Sequence, residues 1–223
     1  MSMTSTTIDS GDATVSALWN KPAGAKAALV LAHGAGAGMT HKAMEATAEG
    51  LAERKIATLR FNFPYMERGS KRPDSPAIAQ AAIRAAVAKG TKLAPRLPLF
   101  AGGRSFGGRM TSQTQAAEPL PKVAGLMFFA YPLHPAGKPG VDRADHLSQV
   151  KLPMLFLQGT NDALAELGLL RPTITKLGSR AKLELFRDAD HSFHVPARTG
   201  RKDAEVLAEI LDTAAKWMLA RIG

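Results

Sequence analysis

The sequence predicts a three-layer α/β fold, in which a mostly parallel central sheet is flanked by helices. Short apolar runs alternate with longer segments of helical period along the chain, which is the pattern of parallel strands joined by crossover helices. No internal repeat and no linker splits the 223 residues into two cores. Residues 13–223 are therefore expected to form one domain, with residues 1–12 as a flexible N-terminus.

The elements follow in order. "ATVSALWN" (13–20) alternates weakly and reads as an antiparallel edge strand. "AALVLAHG" (27–34) is the first clear strand, and a helix from about His41 to Arg54 places Met44, Ala48, Leu51 and Ala52 on one face. Strand "IATLRFNF" (56–63) leads into a loop (64–76) rich in proline, glycine and charge, then a helix across "AIAQAAIRAAVAKG" (77–90). Strand "LPLFAG" (97–102) precedes a helix running to about Ala117. Next come strand "KVAGLMFFAY" (122–131), the loop "PLHPAGKPGVDRADHLSQV" (132–150) and strand "LPMLFLQG" (152–159). "LAELGLLRPTITKLG" (164–178) is largely helical, and "AKLELFRD" (181–188) is a strand. The closing segment (203–222) spaces Val206, Leu207, Ile210, Leu211, Ala214, Trp217 and Met218 as one apolar helix face.

Composition narrows the chemistry. There is no cysteine, which excludes disulfides, thiolate catalysis and Cys-ligated metals. The 45% hydrophobic and 22% charged fractions are those of an ordinary globular protein. The net charge of +10 is scattered, and aromatics make up only 6%, so a base-stacking surface is not expected. "MSMTSTTIDSGD" lacks the basic start and apolar stretch of a signal peptide, and no apolar run approaches the roughly 18 residues of a membrane span. The expectation is a cytoplasmic protein that engages neither nucleic acid nor membrane. No feature sets an oligomeric state.

The residues that carry chemistry lie at strand ends. "Gly103-Arg104-Ser105-Phe106-Gly107" matches G-x-S-x-G between a predicted strand and a predicted helix. A serine on so sharp a turn adopts strained backbone angles, and glycine at the flanking positions removes side chains that would collide with it. A serine hydroxyl needs a base within hydrogen-bond reach, and the base needs an orienting group. His191 in "DADHSFHV" follows a strand and so shares the serine's rim of the sheet, with His194 in reserve. His41 reads as a helix start, and His134 and His146 as loop surface. Asp162 in "LFLQGTNDAL" is the orienting acid, although an Asx turn or helix cap is its structural alternative. Asp190, Asp145 and Asp142 are weaker candidates. The order Ser105, Asp162, His191 is the one expected for a serine on this kind of turn.

"LAHGAGAG" (31–38) brings small residues past the serine, so that a backbone N–H can face an oxyanion. The donors are read as the amides of Ala35 and Phe106, with Gly36 as an alternative to Ala35, while His33 shapes the loop. No His cluster, HExxH or Walker lysine occurs, so neither a metal nor a nucleotide cofactor is implied. Arg104 and Arg109 beside the serine, with Arg68, Lys71 and Arg72 in the 64–76 loop, give the expectation of an anionic acyl or leaving group.

Taken together, "HGAGAG", "GGRSFGGR", "GTNDAL" and "DADHSF" give a chain that resembles the α/β-hydrolase superfamily from about residue 13 onward. More narrowly, it is similar to the compact, lidless dienelactone-hydrolase-like branch. The resemblance implies Ser105 as nucleophile, His191 as base, Asp162 as orienting acid, and the Ala35 and Phe106 amides as an oxyanion hole. It also implies an open site without a cap domain, because only about 20 residues follow "LMFFAYP" where larger relatives insert a lid. Dienelactone hydrolases use a cysteine nucleophile, absent here, so their substrate does not carry over. The implied function is a serine hydrolase that cleaves an ester or related acyl bond of a small molecule. Peptidase and acyltransferase activities share the same triad. The alternative from another class is a binding or scaffold protein that keeps the fold without the reaction.

Overall fold

The computed structural model describes residues 2–11 and 13–222. Eight strands form one sheet in the order β1-β2-β4-β3-β5-β6-β7-β8. β1 (Ser2–Asp9) and β2 (Thr14–Lys21) are antiparallel to each other, and β2 is antiparallel to β4 (Ile56–Phe61). The remaining pairings are all parallel, through β3 (Ala27–Ala32), β5 (Leu99–Arg104), β6 (Val123–Phe129), β7 (Met154–Gly159) and β8 (Ala181–Phe186).

Period-two alternation sorts each central strand between two cores. Ala28, Val30, Leu126, Phe128, Met154 and Phe156 face one side, packed against α3 (Pro76–Leu93), α4 (Phe106–Ala117) and α5 (Leu167–Thr175). Leu29, Leu31, Met127, Phe129, Leu155 and Leu157 face the other, under α1 (Lys42–Glu53) and α6 (Asp203–Leu219). Because both faces are covered, these strands read as continuous apolar runs, which is why they were visible in the sequence. On α6, Trp217 tilts against Phe100 at 5.7 Å between ring centroids, anchoring the end of the chain to the middle of the sheet.

Three expectations are corrected. The N-terminal segment expected to be flexible forms β1, in register with β2 from Ser2↔Lys21 to Asp9↔Thr14; Met1 and Asp12 lie outside the described residues. Backbone pairing holds it, and nearly all its side chains are exposed apart from Ile8, so no apolar pattern announced a strand. β2 is antiparallel as expected, but β1 takes the edge. The 64–76 loop also contains the short helix α2 (Pro64–Glu67), opened by a proline at its first position. The 132–150 segment carries a 3-10 stretch (Asp142–Gln149) and no cap.

Parallel strands finish on one rim. The segments after β3, β5, β7 and β8 therefore converge there, bringing His33–Gly38, Ser105, Asp162 and His191 to the same end of the sheet.

Candidate active site

β5 ends at Arg104 and α4 begins at Phe106, leaving Ser105 alone on the turn with φ 48° and ψ −116°. Such a backbone costs a non-glycine residue on the order of 1–3 kcal/mol and persists only when its surroundings over-determine it. Here Ser105 N–H donates to the Phe129 carbonyl at 3.0 Å, while the Ser105 carbonyl accepts from Arg109 N–H at 3.1 Å. The flanking glycines are required by the close passage of β3. A Cβ at Gly103 would lie 2.4 Å from the Ala32 oxygen, and one at Gly107 would lie 2.5 Å from the His33 oxygen and 2.6 Å from that of Ala32.

The structure brings the three predicted side chains together. His191 Nε2 is 2.8 Å from Ser105 Oγ, and His191 Nδ1 is 2.7 Å from Asp162 Oδ2. A carboxylate only accepts, so Nδ1 carries the imidazole proton and Nε2 is free to accept from the serine hydroxyl. The Asp162 side chain is fully buried, whereas His191 keeps 26% of its side chain exposed, so the imidazole sits between the interior and solvent. Asp162 Oδ1 accepts the Leu164 N–H at 2.8 Å. The Asx turn weighed as an alternative role thus coexists with the histidine contact.

The loop after β3 reaches the same pocket through Ala35. The Gly36 N–H is taken by the Tyr65 hydroxyl at 3.2 Å, whereas the Ala35 N–H has no protein partner among the described residues. The Phe106 N–H is the first of α4 and has no acceptor within the helix. Ala35, Ser105 and Phe106 line one pocket of about 420 Å³. Of the two alternatives, Ala35 is therefore the residue whose amide is available. His33 shapes this loop as expected. Its Nε2 accepts the Phe63 N–H at 3.1 Å and its Nδ1–H donates to the Gly34 carbonyl at 2.8 Å, while burial pushes its pKa down to about 4.

A family model described as an alpha/beta hydrolase domain matches residues 25–219. The chain belongs to the α/β-hydrolase family. Solved structures agree on the compact, dienelactone-hydrolase-like architecture. A dienelactone hydrolase from Anabaena variabilis superposes with a TM-score of 0.80 at 18% identity, over 98% of this chain and 97% of that one. An alpha-beta serine hydrolase homologue from Coxiella burnetii gives 0.77 at 20% identity, over 96% and 98%. A lidless serine hydrolase from Xanthomonas campestris gives 0.74 at 21% identity, over 97% and 95%. At these identities the likeness is one of fold.

Around the triad geometry, this α/β-hydrolase adds groups that the sequence did not point to. Gln158, fully buried on β7, donates its side-chain amide to Asp162 Oδ2, and its Oε1 accepts the Tyr131 N–H at 2.9 Å. The Tyr131 bond fixes which end of the amide faces the carboxylate. A polar residue near the end of an otherwise apolar strand was the signal available. Arg143 also lines the Ser105 pocket, from a segment read as loop.

The basic residues divide differently from the expectation. Arg104 turns behind the histidine loop, its guanidinium donating to the His191 carbonyl at 3.4 Å and lying over the Phe193 ring at 5.3 Å. Arg68 pairs with Asp74 at 2.5 Å, and Lys71 and Arg72 are exposed. Of the five, only Arg109 lines the pocket.

The other candidates have structural partners. His194 is exposed and pairs with Asp203 at 2.8 Å, which raises the pKa of the histidine and lowers that of the carboxyl. Asp190 accepts the Ser192 and His194 N–H groups, tying the loop that holds His191. His41 caps α1, accepting the Ala43 N–H at 3.2 Å. His134 and His146, read as loop surface, are not: His134 is buried and accepts the Glu166 N–H, and His146 bonds to Ser112 at 2.8 Å. Asp142 and Asp145 are exposed at the start of the 3-10 stretch. Among the described residues there is no group of three or more His, Asp or Glu placed to hold a metal ion, and no helix long and apolar enough to cross a membrane.

Proposed function

We propose that this α/β-hydrolase is a serine hydrolase that cleaves an ester or related acyl bond of a small molecule through an acyl-enzyme. The observation that carries the reading is the unbroken relay from Ser105 Oγ to His191 Nε2 at 2.8 Å and from His191 Nδ1 to Asp162 at 2.7 Å, built on a strained turn. Ser105 Oγ attacks the carbonyl carbon as its proton passes to His191 Nε2. The carbonyl π pair moves to oxygen, where the Ala35 and Phe106 amides donate hydrogen bonds. The tetrahedral species collapses, the bond to the leaving oxygen breaks, and His191 returns the proton to it. Water then repeats the sequence on the acyl-serine, releasing the acid and restoring the hydroxyl.

Each part has a physical reason. Asp162 stabilises the imidazolium that forms and holds the ring in the right tautomer. The amides act on charge that exists only in the transition state, and losing one such donor typically costs about 100- to 1,000-fold in turnover. The open rim suits small soluble esters. The reading is tested by steady-state hydrolysis of short 4-nitrophenyl esters. Ser105→Ala should lower kcat by about 10⁴-fold or more with an unchanged melting temperature. Full activity in a folded Ser105→Ala sample would overturn it.

A further inference from the structure

Two guanidinium groups share the Ser105 pocket. Arg109 stands one helical turn beyond Ser105 on α4, and Arg143 reaches the same cavity from the 3-10 stretch after β6. Among the described residues neither forms a salt bridge, although seven lysine or arginine pairs with carboxylates occur elsewhere. Arg109 Nε is buried and has no hydrogen-bond partner. An orphaned donor on a charged group costs stability unless something supplies an acceptor. Burial and the charge of Arg143 both act against the charged form of Arg109, so the two cations repel each other in place.

The one carboxylate lining this cavity does not relieve them. Asp74 Oδ2 accepts the Tyr65 N–H at 2.8 Å, and its Oδ1 is held by Arg68 at 2.5 Å. The rest of the wall, including Phe106, Met110, Pro132 and Leu164, is apolar. Two cations without a carboxylate partner, one of them lying over the Phe106 ring at 6.0 Å, stand beside Ser105 in an otherwise apolar pocket, an arrangement that suits a small anion. Guanidinium forks match the planar geometry of a carboxylate, and a pocket of about 420 Å³ has room for an ester and one such group.

We infer that this α/β-hydrolase is selective for acid esters, whose acyl or alcohol portion carries a carboxylate gripped by Arg109 and Arg143 while Ser105 attacks the ester carbonyl. The inference rests on the hydrolase reading for its reaction, but not for its binding. Without a substrate, the same pair of cations still takes up a small carboxylate.

The test has a kinetic arm and a binding arm. In the first, kcat/KM is compared for mono-4-nitrophenyl adipate against 4-nitrophenyl hexanoate, and for 3-carboxyphenyl butyrate against phenyl butyrate. One acid ester of the two pairs should be preferred by at least about tenfold, as a charge-assisted contact warrants. That ratio should collapse towards one in Arg143→Gln and in Arg109→Gln, and recover in part in Arg143→Lys, which keeps the charge. Equal kcat/KM within both pairs, or a preference that survives both Gln variants, overturns the inference. In the second arm, calorimetry measures monomethyl adipate and dimethyl adipate binding to the full chain and to Ser105→Ala. The monoacid should bind more tightly than the diester, and Arg143→Gln should abolish the difference. If no ester is turned over, the hydrolase reading fails and this arm alone decides. Equal binding, or tighter binding of inorganic phosphate than of the monoacid, overturns the carboxylate assignment.

Discussion

Gly107→Ala isolates the geometry of the turn from its chemistry, because it changes no functional group. The added Cβ would stand 2.5 Å from the His33 oxygen and 2.6 Å from the Ala32 oxygen, both backbone atoms with no rotamer to escape into. Ordinary contact begins near 3.4 Å, so the end of β3 and the start of α4 must separate by about 0.9 Å. That displacement acts where the His33–Gly36 loop meets Phe106, and so opens the space between the Ala35 and Phe106 amides. A misplacement of about 1 Å at a reacting centre costs on the order of 100-fold in rate. Overpacking a fitted site costs about 1–3 kcal/mol of stability. Gly168→Ala is the control, since nothing lies within 4 Å of its added Cβ and it sits in the first turn of α5. Thermal unfolding and ester hydrolysis are measured on both variants. Gly107→Ala should melt lower yet fold, and lose about two orders of magnitude in kcat, while Gly168→Ala should match the parent. A folded Gly107→Ala with parental kcat would refute the claim that this glycine sets the oxyanion geometry.

Three further outcomes follow from the same geometry. Asp162→Asn removes the acceptor that keeps the proton on His191 Nδ1, and kcat should fall by about 10⁴-fold while Ser105 stays in place; a loss under tenfold would exclude an orienting role. Gln158→Leu strips one donor from Asp162 and leaves the Tyr131 N–H without its acceptor. It should therefore cost about 1–3 kcal/mol in urea unfolding and lower kcat more than it raises KM, whereas an effect on stability alone would make the residue purely structural. His33, with its pKa lowered to about 4 by burial, is neutral in the fold and charges on unfolding. Its contribution is complete above the ordinary histidine range near 6.5 and is lost as pH falls towards 4, for a change of about 3 kcal/mol. His146 acts in the same direction, its pKa also lowered to about 4 by burial. Urea midpoints from pH 7 to 4.5 should accordingly slope less in His33→Gln than in the parent; identical slopes would show that the His33 shift is not expressed.

What the sequence made legible was whatever repeats or clusters locally. Strands covered on both faces, such as "AALVLA" and "MLFLQG", announce themselves as apolar runs, and the glycines around Ser105 mark a turn whose shape is set within a few residues. Ser105, Asp162 and His191 could be grouped because parallel strands end on one rim, so chain order substitutes for distance. β1 escaped because "SMTSTTID" is held by backbone pairing and buries little of its side chains. Which amide of the loop after β3 is left free depended on Tyr65, which lies 29 residues from Gly36 and takes its N–H. Arg143 and His146 depended on how a loop folds back over α4, and Arg104 on a carbonyl 87 residues away. Such contacts are set by tertiary closure and have no local pattern to betray them.

In the proposed reaction, the hydroxyl on the strained turn is a nucleophile activated by the imidazole it touches. The most direct measurement is mass-spectrometric mapping of the full chain after treatment with a fluorophosphonate. One adduct is expected, on the peptide carrying Ser105, absent in Ser105→Ala and formed far more slowly in His191→Ala. A folded parent that stays unmodified, or an adduct formed equally fast without His191, would contradict it.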